Sequence, residues 1–448
     1  MSTVRNWARN QACVPTAVER PRSTADVAAI VRRARLEGRR VKAIGAGHSF
    51  TAAAMTNGVL ISLEHLNGVV GVDRPSRQVT VQAGMTLRRL GDELAGVGLA
   101  MPNLGDINVQ SVAGAINTAT HGTGLELGNI ATTIVAMELV DGMGDVVRCD
   151  ADHHADLLRA ARVGVGALGI VTEVTIQCVP AFRLHAHETV EPLDDLLDGF
   201  DEFARSAEHA EFFWMPGARR CQVKRNRRTD EPARPPSRLA YARDKYIAEN
   251  LAFDLVCRTG RRFPALAPKI AKLVSGAAGE RDLIDRSDKV FASPRHVKFV
   301  EMEYGLPVEA VPEALRRVRE LTASLSFPSL FPIEVRVSAA DDIPLSTGFG
   351  RTNGWIAVHQ YRGAPYESYF QGVESIMDDH DGRPHGGTLH FQTAATLHDR
   401  YPEWDSFQAA RARLFPDGSY AHYYVSRVLG PVCCWDPSRR GPRRRGAG

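Results

Sequence analysis

The sequence has almost no net charge: 55 Lys and Arg stand against 52 Asp and Glu over 448 residues, leaving +3. That removes the electrostatic case for nucleic acid or an acidic membrane as the main partner and makes a small molecule the expected one. Cysteine is sparse. Cys13, Cys149, Cys178, Cys221, Cys257, Cys433 and Cys434 are odd in number and scattered, with no C-x-x-C pair and no Cys/His ligand spacing. A disulfide framework and a zinc site are thereby excluded, and reduced thiols of a cytoplasmic protein are expected. No apolar run approaches the roughly 20 residues of a membrane span, and MSTVRNWARNQ lacks the apolar stretch of a secretory signal. No integral membrane segment is expected, while a peripheral membrane contact stays open. Internal repeats are absent too.

What is present is an ordinary globular composition, 44% hydrophobic and 24% charged, with length for two or three domains. From Val14 to Gly84 helix and strand signals alternate. Ser23 and Thr24 can cap a helix with the stripe Val27, Ile30, Val31 and Ala34, closed at Glu37-Gly38. Strands are expected at Val41 to Ile44, Val59 to Leu63, Val69 to Val72 and Val79 to Ala83, a helix at Thr86 to Val97, and a hairpin from Thr133 to Cys149 turning at Asp141-Gly142. A helix around His154 to Ala161 and a strand from Ile170 to Val179 follow, and Pro180 is a natural boundary.

Beyond Ala181 glycine thins and aromatics increase. Arg225 to Arg238 reads as a basic, proline-bearing loop. Strands are expected at Phe212 to Met215, Val297 to Tyr304, Ile333 to Ser338 and Trp355 to Tyr361, with helices at Val311 to Ala323 and Tyr366 to Asp379. The fold class is α+β, with a first domain over 1–180, a second α+β domain over 181–430 and a basic tail over 431–448. The tail reads as a solvated disordered segment, with an RNA or phosphate contact as the alternative.

Two glycine segments can carry chemistry. Gly45-Ala46-Gly47-His48-Ser49 follows a strand but lacks the third glycine of a dinucleotide fingerprint, so a Rossmann fold is disfavoured. Its backbone N–H groups can still meet a phosphate or a flat ring, and His48 is either functional there or a turn histidine bonded to backbone. Ser111 to Gly124 is rich in small residues and hydroxyls, either a packed small-residue helix or an anion cradle starting at Ser111.

The segments IGAGHSF, MPNLGDINVQSVAGAINTATHGTG, GALGIVTEV, IEVRVSAADD, RPHGGTLHFQT and YVSRVLG, in this order, resemble the sugar-1,4-lactone oxidase and alditol oxidase branch of the vanillyl-alcohol-oxidase flavoproteins. The resemblance spans Asn6 to Gly430 and implies a two-subdomain PCMH-type FAD-binding domain, then a substrate (cap) domain whose antiparallel sheet covers the flavin ring. It implies FAD bonded covalently through His48. The loop Ile44, Gly45, Ala46, Gly47, His48, Ser49 would cradle the pyrophosphate with Ser111, Gly114, Thr118 and Gly122, and Ile170 and Val171 would meet the adenine part. His121 is left outside the catalytic set, as a packed loop histidine.

In the family the pair Glu334 and Arg336, two apart on a strand and therefore on one face, meets flavin and substrate. Glu334 would hold a substrate hydroxyl and Arg336 would stabilise an alkoxide or the reduced flavin. Without the resemblance, a surface salt bridge is the plainer reading of this pair. The family motif RPHWGK stands here as Arg383-Pro384-His385-Gly386-Gly387-Thr388, so its tryptophan is Gly386 and its lysine is Thr388. His385, Arg383 or His390 would have to supply the lost charge, and His385 joins the catalytic set. Asp106, in place of a serine of alditol oxidases, points to an aldono-1,4-lactone of the L-gulono or D-arabinono type. Gly105 leaves room for O2, with a cytochrome or quinone as alternative acceptor. Oxidation of a polyol, or a catalytically impaired flavin-binding protein, are the other readings.

Overall fold

A computed structural model describes residues 2–237, 252–266, 279–415, 420 and 422–431. The tail from 432 onward, with Cys433 and Cys434, lies outside the described residues. The first half is built on a three-stranded and a five-stranded sheet, with two short two-stranded ribbons beside them. Strands β1 (Ala17–Glu19), β2 (Val41–Ile44) and β3 (Val59–Ser62) form a parallel sheet in the order β1-β3-β2. Strands β4 (Val69–Asp73), β5 (Gln78–Gln82), β6 (Ile134–Val140), β7 (Val146–Asp150) and β8 (Ile170–Gln177) form an antiparallel one in the order β7-β6-β8-β5-β4.

Helix α1 (Thr24–Leu36) starts where the sequence places it, because the Ser23 hydroxyl accepts the Asp26 N–H. Its stripe Val27, Ile30, Val31 and Ala34 is buried in the core shared by both sheets. Helix α2 (Leu87–Gly96) is capped in the same way by Thr86, and α3 (Val112–Asn117) by Ser111.

The second half is built on one eight-stranded sheet. In chain order its strands are β9 (Arg183–Pro192), β10 (His209–Trp214), β11 (Arg220–Thr229), β12 (Arg281–Arg286), β13 (Phe299–Pro307), β14 (Ile333–Ser338), β15 (Asn353–Tyr361) and β16 (Arg383–Pro384). Their spatial order is β12-β9-β11-β10-β14-β15-β13-β16. The basic loop expected from Arg225 is instead the end of β11: pairing with both β9 and β10 satisfies its backbone, and Arg225 itself is tied to Glu191.

Alternation along the strands gives this sheet two unlike faces. Phe212, Trp214, Met302, Tyr304, Val335, Val337, Ile356 and Val358 pack against α4 (Val311–Ser324) and α5 (Glu367–Asp378). The intervening positions Glu211, Glu301, Glu303, Glu334, Arg336 and His359 project from the other face, and all but Glu301 are nearly inaccessible to solvent. The first half covers that face. Gly124 N donates to Val337 O (2.8 Å) and Val337 N to the Thr123 hydroxyl (3.2 Å), joining the two halves along β14. The last helices, α6 (Trp404–Leu414) and α7 (Tyr423–Leu429), bury Trp404, Phe407, Tyr424 and Val425 in the first core. The stretch expected as one unit over 181–430 thus lends its last helices to the N-terminal half, whose apolar surface receives them.

Candidate active site

Where the two halves meet lies a cavity lined by residues of both, running from the loop after β2 to the polar face of the large sheet. One wall is the loop after β2, residues Ile44 to Ser49. The loop is fixed on both sides: Trp7 N donates to Gly47 O (2.7 Å), the Asn6 amide to Ser49 O (3.0 Å), and the Ser49 hydroxyl and Phe50 N both donate to Gly387 O (3.0 and 2.7 Å). Gly47 has φ +69°, a left-handed conformation that glycine takes at no steric cost. Gly45 is required by proximity, since a Cβ there would lie 2.2 Å from the Ser111 hydroxyl.

His48 stacks on Trp7, ring centres 4.9 Å apart, and burial together with the nearby Lys298 ammonium pushes its pKa down to about 4. It is therefore neutral near pH 7, with a ring nitrogen available as a nucleophile.

A second wall is α3 with its flanks. Ser111, Gly114, Thr118, Gly105, Asp106, Ile170 and Val171 all line the cavity. Gly122 does not: a Cβ there would meet Asn103 Oδ1 and Leu104 O at 2.3 Å, so this glycine serves close packing beneath the wall. Sequence reasoning missed several lining residues, Lys42 and Gln110 among them. Lys42 is buried, donates to Gly166 O (2.6 Å), and has its pKa lowered to about 7 by burial and by the charge of Arg411. Gln110 donates to the Thr120 hydroxyl, while its Oε1 is buried without a hydrogen-bond partner.

The third wall is the polar face of the large sheet. Glu334 and Arg336 are deeply buried and touch each other, which removes the surface-salt-bridge reading. The Arg336 guanidinium also holds Glu211 (2.9 Å) and lies 3.9 Å from Asp106. Asp106 is gripped by Arg295 at 2.6 Å. Arg336 lines the cavity, whereas Glu334 sits behind it and reaches the cavity through it. Burial, reinforced by the Asp106 and Glu211 charges and opposed by Arg336, pushes Glu334 up to about 8.

Glu301 and Glu303, two apart on β13, line the cavity as well, and nothing in the local sequence marks them. Pairing brings them opposite His359 and Ala357, and Ala357 in turn faces Glu334. His121, set aside in the sequence, lies 3.2 Å from Glu303 and stacks on Trp355. His385 lines the cavity 3.9 Å from Glu303. Thr388 lines it with its hydroxyl engaged by Glu303 N and His385 O. Arg383 and His390 do not reach the cavity, because Arg383 is spent on Thr347 O and Phe349 O, and His390 on the Tyr424 hydroxyl.

The residues fit FAD on their own evidence. A loop where Gly45 has no room for a Cβ and Gly47 takes a left-handed conformation, the unsatisfied Gln110 Oε1 and a cavity lined by both halves suit a dinucleotide whose ring carries an N–H donor. Among the described residues no group of three or more His, Cys, Asp or Glu could hold a metal, and no helix is long and apolar enough to cross a membrane.

Comparison with known proteins agrees. Residues 174–428 match the family described as D-arabinono-1,4-lactone oxidase, and residues 15–150 match the FAD binding domain. The chain is 46% identical to an L-gulono-1,4-lactone dehydrogenase of Mycobacterium tuberculosis (strain ATCC 25618 / H37Rv), covering 95% of this chain and 99% of that protein. It is 32% identical to an L-gulonolactone oxidase of Bos taurus, covering 95% and 97%. Among solved structures, a cholesterol oxidase from B. sterolicum superposes with TM-score 0.80 at 18% identity, covering 96% of each chain, a likeness of fold alone.

Proposed function

The chain belongs to the D-arabinono-1,4-lactone oxidase family of FAD enzymes, and on that premise we propose that it oxidises a secondary hydroxyl of an aldono-1,4-lactone of the L-gulono or D-arabinono type. The observation that carries the reading is the continuity of one cavity from the His48 loop to Arg336. Bound FAD supplies the hydride acceptor.

The chain's own residues do the rest. Arg336, fixed by Glu211 and Glu334, presents a guanidinium to the oxygen that becomes negative as the C–H bond weakens, a fixed charge in a site closed to water. Glu334, protonated near neutrality, orients that guanidinium without cancelling it. His48, neutral and on the cavity wall, is our candidate for the covalent flavin link. Ser111, Gly114 and Thr118 would hold the phosphate region of the cofactor, and Ile170 and Val171 would meet its adenine part.

Asp106, committed to Arg295 and Arg336, favours a lactone over an open-chain polyol, because it places a charged group where a polyol would need a neutral hydroxyl partner. O2 is the proposed acceptor, since Gly105 keeps that part of the wall free of a side chain. The buried free thiols of Cys13, Cys149, Cys178, Cys221 and Cys257 suit a cytoplasmic setting.

Anaerobic titration with a panel of aldonolactones and polyols tests the reading, followed by readmission of oxygen. Lactones should bleach the flavin absorbance and air should restore it. Bleaching by polyols alone, or by nothing in the panel, would overturn it.

A further inference from the structure

We propose that Glu303 accepts the proton of the substrate hydroxyl, and that His121 is the positioning residue that keeps the Glu303 carboxylate ionised. The proposal rests on the lactone-oxidation reading above. In that reaction the C–H bond breaks with its electron pair passing to FAD as hydride. The O–H bond breaks with its proton passing to a carboxylate oxygen, and the electron pair left on oxygen closes the C=O bond.

An ionised carboxylate on the cavity wall is what the proton requires. Among the described residues three carboxylates line the cavity: Asp106, Glu301 and Glu303. Asp106 is held at 2.6 Å by Arg295 and faces Arg336, so its lone pairs are engaged by two guanidinium groups. Glu301 faces His359 Nε2 at 3.8 Å, a ring whose Nδ1 proton is given to Pro332 O, so no cation stands beside it, and burial with the Glu303 and Asp106 charges favours its neutral form. Glu303 remains.

Its partners fix its state by hydrogen-bond logic. His121 Nδ1 is 2.8 Å from Gly122 O, and a carbonyl oxygen only accepts, so Nδ1 carries a proton. The other ring nitrogen, Nε2, is 3.2 Å from Glu303 Oε1. One further proton is shared between them, and held on the ring it leaves Glu303 a carboxylate. The ring cannot turn away, because it is stacked on Trp355, ring centres 3.7 Å apart, and the Trp355 indole N–H is tied to the Ser338 hydroxyl. His385, the third member, accepts the Gly387 N–H at Nδ1 (3.3 Å) and therefore carries its proton on Nε2 as a neutral ring. It does not compete for the base role.

Glu303 is also anchored through its backbone, whose N–H donates to the Thr388 hydroxyl (3.0 Å) and whose carbonyl accepts His385 N–H (2.9 Å). The charged and titratable groups that face it are His121, His385 and Arg336, with Glu301 beside it on β13. Burial would raise its pKa, but His121 first and then Arg336 overcome that and hold it well below the ordinary carboxylate range.

The test uses the FAD-loaded enzyme and three variants. In nitrogen-15 histidine-labelled protein, His121 should show two protonated ring nitrogens, identified by their loss in His121→Asn, and Glu303→Gln should convert that ring to a neutral one. Glu303→Ala should slow anaerobic flavin reduction by lactone about a hundredfold, with flavin content retained, and added formate should restore part of the rate. His121→Asn should introduce a loss of rate toward acid pH that wild type lacks, because Glu303 then titrates in the ordinary carboxylate range or above.

Reduction of Glu303→Ala at the wild-type rate, or a neutral His121 ring in wild type, would overturn the proposal. So would a slowing that formate leaves untouched. If Glu303→Ala does not fold, the His121→Asn profile decides alone, and an unchanged acid limb sinks the assignment. Failure of the lactone reading looks different: wild type itself would not be reduced, while the histidine spectrum would be unaffected.

Discussion

Arg336→Ala perturbs both the chemistry and the fold, and the structure separates the two. The guanidinium side chain is only 8% exposed and serves Glu211 and Glu334. Glu334 is pushed up to about 8 and is already neutral near pH 7, so losing Arg336 strands little charge there. Glu211 is held below the ordinary carboxylate range, against burial, chiefly by Arg336 and then by Lys224 at 3.5 Å, so it is the carboxylate left exposed to a low-dielectric surrounding. Breaking a buried pair costs about 3–5 kcal/mol, and Lys224 keeps the loss at the lower end of that range. Removing a preorganised donor from a developing oxyanion costs about 3 kcal/mol, which is roughly a hundredfold in the rate of flavin reduction. In Arg336→Ala combined with Glu211→Gln the stranded charge is gone, so most of the stability should return while the rate stays low. Denaturant melts and anaerobic stopped-flow reduction measure the two quantities. The reasoning fails if the single variant is reduced at a rate within about threefold of wild type, or if rate and stability recover together in the double variant.

Acid-precipitated protein should stay yellow, with the flavin mass on the tryptic peptide containing His48, and all flavin in the supernatant would refute the covalent link. Gly45→Ala places a Cβ 2.2 Å from the Ser111 hydroxyl, an overpacking that costs about 1–3 kcal/mol; the ratio of flavin to protein absorbance should fall, and full occupancy would count against the cradle. Glu334 gives a pH dependence whose sign follows from its raised pKa: between the ordinary glutamate range and about 8 the folded state binds more protons than the unfolded one, so wild-type stability declines with rising pH across that window. Glu334→Gln should remove that decline and gain on wild type as pH approaches 8, and parallel melting curves at all pH values would show that Glu334 is not so perturbed.

Much of the fold was legible because local signals agreed with the tertiary result. Ser23, Thr86 and Ser111 each cap the helix they precede, and the runs at Val41 and Ile333 are strands with the limits their apolar pattern suggests. The basic stretch from Arg225 misled for a physical reason. Charge reads as loop, but a strand flanked on both sides can carry arginines on its polar face when carboxylates such as Glu191 and Glu208 meet them. The His48 loop and the Glu334-Arg336 pair were found by resemblance, since in composition alone each had an ordinary structural explanation.

That Glu211 and Glu303 join Glu334 around Arg336 was not legible, and the sheet order explains why. Glu211, Glu303 and Glu334 stand on β10, β13 and β14, separated by up to more than a hundred residues in sequence, yet β10 adjoins β14 and β15 lies between β14 and β13. On each strand the acidic residue is one member of an ordinary period-2 alternation, which predicts a solvated face. Here the first half of the chain covers that face, so the same alternation yields buried charge. A buried charge persists only when partnered, and the partners, His121 from a glycine-rich loop and Arg336 from the central strand, come from opposite halves of the molecule. The polar face of the sheet is therefore specified by the docking of the two halves, and the chemistry at the cavity exists only where they meet.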